Sequence, residues 1–181
     1  ADMSDRVGDP FSWKPGYEYV TTLNCHKGAG STYTILRDGS DFYLYSYRIS
    51  YNFGIIKQLM VKMDNVIDLD KAEFFGASNM LSVIYYTVGN KLYGYDFARK
   101  KCELLKTFDG YEITSFLSDI LVQTSRDYFY IALYDPSKPA STGGMVKKYK
   151  VVDDVDHIIV EEEKGSEWKN LCKGKRMAVK T

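Results

Sequence analysis

Nucleophilic catalysis needs a nucleophile, a base and an orienting group within reach of one another. The chain has only two histidines, His26 and His157, and Cys25–His26 is its single adjacent Cys/His pair. Neighbouring residues on a strand point to opposite faces, so adjacency counts against a catalytic couple. A buried cysteine beside a turn histidine accounts for the pair. Hard metal ions need clustered oxygen ligands. "DNVIDLD" offers Asp64, Asp68 and Asp70, and "DDVDH" offers Asp153, Asp154, Asp156 and His157. Neither has the glycine turn and distal glutamate of an EF-hand loop, and aspartates capping their own turns explain both. The glycine-rich "KGAGS" (27–31) and "STGG" (141–144) precede strand-like sequence. A phosphate cradle requires a helix at that point. A paired-carboxylate glycosidase remains conceivable in any β protein rich in Asp and Glu, but no local signature marks one. No catalytic residue, metal or cofactor is expected.

The positive signal is aromatic. Trp13 and Tyr17, then Tyr51 and Phe53 in "SYNFG", and Trp168 in "SEWKN" stand in loop-like surroundings. Flat aromatic faces suit sugar rings, whose C–H groups stack on π faces, and they suit protein hot spots equally well. The structural alternative is that such rings cap strand ends or plug the core. Trp13, Tyr51, Phe53 and Trp168 are the candidate ligand-binding residues.

The composition sets the frame for these residues. Of 181 residues, 45% are hydrophobic and 27% charged, as in a globular protein with a real core. Sixteen tyrosines and nine phenylalanines raise the aromatic share to 15%, with only four prolines, which leans towards β structure. Lys+Arg and Asp+Glu are 24 each, so no net field draws nucleic acid or an acidic membrane. "EEEK" (161–164) precedes the basic tail "KNLCKGKRMAVK", read as a solvated strand face beside an acidic neighbour. Cys25, Cys102 and Cys172 lack CxxC spacing, which argues against a disulfide framework or zinc site. Each is expected to be a small buried hydrophobe. No apolar run approaches the roughly 18 residues that span a bilayer, and no signal peptide is evident. The start "ADMSDRVGDP" lacks an initiator Met and is expected to mark a processed product or a fragment of a longer chain.

Residues 1–16 read as a lead-in loop, and 17–181 as one all-β domain. Strand-like runs follow one another: "YEYVTTL", "STYTILR", "DFYLYSY", "KQLMVKM", "SVIYYTV", "KLYGYDF", "CELLKTF", "EITSFL", "DYFYIALY", "GMVKKYKVV", "HIIVEEE" and "RMAVK". One or two helical turns are expected around "DLDKAEFFGASN" (68–79). Laying "YTILRDGSDFYLYSY" (33–47) over "VIYYTVGNKLYGYDF" (83–97) aligns Gly39 with Gly89, Tyr43 with Tyr93 and Tyr45 with Tyr95, at an offset of 50. A looser third copy places Tyr149 in the role of Tyr95. The period predicts antiparallel blade-like repeats, about 17–70, 73–118 and 120–181, in a partial or small propeller-like fold. The alternative is a β-barrel or sandwich meander. With only three blades, closure would need a composite blade pairing "YEYVTTL" with "RMAVK", or the remainder of a longer polypeptide. The x-Tyr-x-Tyr rows are read as packing between sheets, not as ligand groups.

The hairpin "VIYYTVGNKLYGYDF", the following "DGYEIT" and the later "GGMVKKYKV" resemble the C-terminal part of the PKD-like family of Bacteroidetes lipoproteins. Its closing segment is similar to "WKNLCKGKRMAVK". The resemblance covers about residues 30–181 and implies the propeller-like region of a cell-envelope, outer-membrane lipoprotein, of a kind often encoded beside glycan importers. It implies a lipid anchor outside this chain as the only membrane link, and it supplies no catalytic residues. The expected function is a non-enzymatic binding or scaffolding module, with a glycan or another envelope protein as partner. The alternatives are a glycan-active hydrolase or lyase on a propeller scaffold, and a purely structural domain docking through its strand edges.

Overall fold

The computed structural model describes residues 16–25, 31–50, 52, 54–78, 82–118, 127–154 and 157–174. They form twelve strands: β1 (Glu18–Cys25), β2 (Ser31–Asp38), β3 (Asp41–Ser50), β4 (Gly54–Lys62), β5 (Phe75–Ala77), β6 (Val83–Val88), β7 (Lys91–Asp96), β8 (Lys101–Thr107), β9 (Glu112–Ser118), β10 (Asp127–Tyr134), β11 (Gly144–Asp154) and β12 (His157–Leu171). The protein is all-β. Each sheet is a four-stranded antiparallel meander of consecutive strands, β1–β4, β5–β8 and β9–β12, and none closes into a barrel among the described residues. The segment expected to turn helically makes one 3-10 turn, Leu69–Lys71, and then becomes β5. There Phe75, Gly76 and Ala77 pair with β6, and a ladder replaces the second turn. The third sheet begins earlier than the repeat alone suggests. β9, attached by the sequence reading to the second repeat (73–118), pairs with β10. "RMAVK" lies outside the described residues.

The shared period of the first two repeats has a local cause. In the β2–β3 and β6–β7 hairpins, two residues (Gly39-Ser40 and Gly89-Asn90) join the paired ends Asp38↔Asp41 and Val88↔Lys91. The leading glycines have φ of 61° and 57°. Glycine with positive φ at the first loop position is the type II′ arrangement, whose twist matches that of the strands it joins. Tyr45, Tyr95 and Tyr149 are all buried, in keeping with a packing role.

The chain divides into two compact units at Asn65 and Val66. In the first, β1–β4 bury Ile35, Leu36, Phe42, Leu44 and Tyr45. The Tyr17 ring meets Tyr43 edge-on at 5.3 Å. The Arg37 guanidinium lies over Phe42 and its Nε donates to the turn carbonyl of Gly39 at 2.7 Å.

In the second unit the sheets β5–β8 and β9–β12 stack face to face, β5 against β9 and β8 against β12. Val83, Tyr85 and Leu92 from one sheet meet Phe116, Phe129, Ile131 and Tyr149 from the other. Phe129 lies 5.1 Å from Phe116, 5.2 Å from Tyr149 and 5.9 Å from Tyr85, between ring centroids. Burying one such ring contributes roughly 1.5–3 kcal/mol, and each aromatic pair adds about 0.5–1.5 kcal/mol. The segment before β5 is tied down by Tyr86, whose hydroxyl donates to the Ile67 carbonyl at 2.6 Å. Burial, helped by the adjacent Cys102 thiol, pushes that phenol well above its ordinary range, so it stays a neutral donor.

The two sheets come close together at Gly76 on β5. A Cβ there would sit 2.5 Å from a ring carbon of Phe116, while the next amide, Ala77 N–H, donates to Ser118 Oγ at 3.3 Å. Gly76→Ala is therefore expected to cost about 1–3 kcal/mol by overpacking. The urea midpoint should fall with the m-value unchanged, and an unchanged midpoint would mean that the two sheets are not in close contact at this point.

Candidate binding surface

Strand β10 reads "DYFYIALY", and its alternation assigns each ring to a face. Phe129, Ile131 and Leu133 enter the core, so Tyr128, Tyr130 and Tyr134 project from the opposite, outer face of the third sheet. On β11 the register sets Lys148 against Tyr130 and Lys150 against Tyr128. The Lys148 ammonium lies 4.2 Å from the Tyr128 ring centre and 5.5 Å from that of Tyr130. Trp168 pairs with Val146 from β12 and reaches the Tyr130 ring at 6.3 Å, with the planes tilted by 44°. At one end Lys173 lies over Tyr134 at 4.6 Å and bridges to Glu112 at 3.1 Å. The result is a strip of rings with cations set among them, interrupted at Ala132 between Tyr130 and Tyr134.

Trp168 is held by irregularity in β12. The strand runs regularly to Glu162 opposite Tyr149 and resumes with Glu167 opposite Lys147, leaving Glu163–Ser166 as an excursion around Gly165, whose φ is +83°. Lys147 clamps both sides of it, at 3.4 Å to Glu162 and 3.5 Å to Glu167. Both carboxylates are ion-paired to the same lysine. Burial raises the Tyr149 phenol well above its usual range, and the same two carboxylates add to the effect.

A second polar cluster lies at the seam of the sheets. Glu103 on β8 receives Lys101 at 2.7 Å, His157 Nδ1 at 3.3 Å and the Ile158 amide of β12 at 3.1 Å. The Glu103 side chain is 15% exposed. Burial pushes its pKa up, but the hydrogen bonds from Lys101, Ile158 and His157 outweigh this and hold it below the ordinary carboxylate value. The cluster joins two sheet edges, which is a structural task.

Of the candidate residues read from the sequence, Trp13, Tyr51 and Phe53 lie outside the described residues. Trp168 is described and 48% exposed, but it stands on strand β12, not in a loop. The ladder with β11 overrides the loop-like look of "SEWKN". Tyr17, packed on Tyr43, is a structural ring. Tyr128, Tyr130 and Lys148 were not singled out. The signal that could have found them is the strict in–out alternation of β10 beside a lysine-bearing partner strand.

The chemical constellations disperse. His26 and residues 27–30 of "KGAGS" lie outside the described residues, and Cys25 is described only as strand backbone. Gly144 of "STGG" opens strand β11. Asp68 pairs with Lys71 at 3.7 Å, and among the described residues no three His, Cys, Asp or Glu gather as a metal site. Asp153 and Asp154 end β11, and Asp156 lies outside the described residues. Cys172 is exposed, contrary to the expectation of burial, because β12 ends at the sheet margin just before it. Comparison with family models, curated proteins and solved structures finds no match to the chain.

The Glu103 cluster yields a sign for acid stability. A carboxyl with a lowered folded-state pKa contributes stability that is complete above its unfolded value, near 4.5, and is lost as pH falls through the folded value. Glu103→Gln is expected to flatten the loss of stability below pH 4.5 in denaturant midpoints. At pH 7 it should cost about 1–3 kcal/mol, as charge-assisted bonds are weakened. An acid limb as steep as that of the parent protein would show that Glu103 is not so held.

Proposed function

We propose that this chain is a non-enzymatic binding module whose outer third-sheet face takes a glycan chain. The observation that carries this reading is Trp168, about half exposed and set beside Tyr130 across the sheet. A single exposed ring is ordinary, but exposed apolar surface joined into a patch marks interaction sites. The rings sit on β-strands of one sheet, so they are pre-positioned and little order is lost on binding. Their 44° tilt suits a chain whose successive sugar rings turn relative to one another, not a flat crystalline surface.

The resemblance to PKD-like lipoproteins supports a place in the bacterial cell envelope, with membrane attachment through a lipid anchor beyond this chain. It also supports association with a polysaccharide-utilisation system.

Trp168→Ala is expected to weaken binding to a polysaccharide panel by at least about tenfold, or roughly 1.4 kcal/mol. The melting temperature should change little because the ring is half in water. Tyr19→Ala, which removes another exposed ring, on β1, should leave binding intact. Affinity electrophoresis measures both variants. Retention unaffected by Trp168→Ala would overturn the reading.

A further inference from the structure

We infer that the glycan taken by this strip is acidic, and that Lys148 is the group that recognises its anionic substituent. The inference rests on the glycan reading above and narrows it to a ligand class, polysaccharides bearing carboxylate or sulfate ester. The lysines around the strip differ in what neutralises them. Lys147, on the other face of β11, is held by Glu162 and Glu167, and Lys173 by Glu112. Lys148 has no carboxylate within ion-pair distance among the described residues, and its contacts there are the faces of Tyr128 and Tyr130. A ring face attracts an ammonium without neutralising it, and a lysine carries three donors that remain available for a ligand oxygen. Lys150, one pleat on along the same face, stands between Tyr128 of β10 and Glu161 of β12 in the ladder, so the charge opposite Tyr128 is balanced by a carboxylate and Lys148 is the one that is not.

This geometry matches the shape of an acidic sugar. When a pyranose stacks face-on against Trp168, an equatorial carboxylate or sulfate leaves the edge of the ring, sideways along the sheet. Lys148 lies over the faces of Tyr128 and Tyr130, and Tyr130 is the ring that neighbours Trp168. Stacking alone accepts neutral and acidic sugars alike. The unneutralised ammonium supplies the difference, through a charge-assisted hydrogen bond that a hydroxyl cannot match.

The test compares charged and neutral versions of the same backbone: polygalacturonate and alginate against their carboxyl-reduced forms, and dextran sulfate against dextran. Titration calorimetry with the parent protein should show, in at least one pair, the charged member binding at least about tenfold tighter. The carboxylate and sulfate arms distinguish the two sources of anion. Lys148→Met should abolish that preference while leaving the neutral affinity unchanged, and Lys148→Arg should retain it, because arginine keeps the charge and stacks on tyrosine. Lys91→Met, on an exposed hairpin residue of the second sheet, controls for overall charge and should have no effect. Equal binding within every pair would overturn the inference and leave the glycan reading standing. So would equal effects of Lys148→Met and Lys91→Met, or a loss in Lys148→Met shared by neutral sugars. Binding to none of the six polysaccharides would overturn both.

Discussion

The stacking of the second and third sheets across Phe116, Phe129, Tyr85 and Tyr149 is the contact on which the rest of the second unit depends. A four-stranded meander alone has one hydrophobic face to hide and no partner to hide it against. Phe129 sits at the centre of the stack with a ring on three sides, which fixes β10 in depth and in rotation. Because side chains alternate along a strand, fixing Phe129, Ile131 and Leu133 inward forces Tyr128, Tyr130 and Tyr134 outward. The binding face is thus a consequence of the core, one pleat removed from it.

Polar contacts complete what the core begins at the margins of the two sheets. Gly76 lets β5 approach Phe116, and the Ala77 amide finds Ser118 on the opposing sheet. At the other margin Glu103 carries a backbone amide of β12 and two cationic or polar side chains from both sheets. Lys147 closes the β12 excursion and so keeps Trp168 opposite Val146. Hydrophobic burial supplies most of the free energy, being non-directional. These few directional bonds reinforce the register that alternation and the burial of one face already specify.

Much of the architecture was legible in the residues. The strand-like runs and the offset of Gly39 and Gly89 led to four-stranded repeats because both signals are local: side-chain alternation and a turn that only glycine fits without strain. The sequence misplaced one boundary. β9 is separated from β8 by a turn as short as those within a sheet, so spacing gave no sign that the chain changes sheets there. It also placed one or two helical turns around 68–79, where one 3-10 turn forms and Phe75–Ala77 becomes a strand, since three residues carry too little pattern to disclose one. Trp168 was found as an exposed aromatic, but its companions Tyr128, Tyr130 and Lys148 were not, because the tyrosine rows look alike whether they face the core or water.

What the sequence determined by itself was therefore the β class, the meander repeat and its turns, since these follow from period and from the conformations allowed to glycine. Which sheet receives β9, which tyrosines lie in the core, and that Lys148 lies over two rings while Lys147 is clamped by two glutamates were decided by the tertiary structure. Adjacent residues on one strand carry nearly identical local signals, and only the packing of one sheet on another decides which of them meets the core.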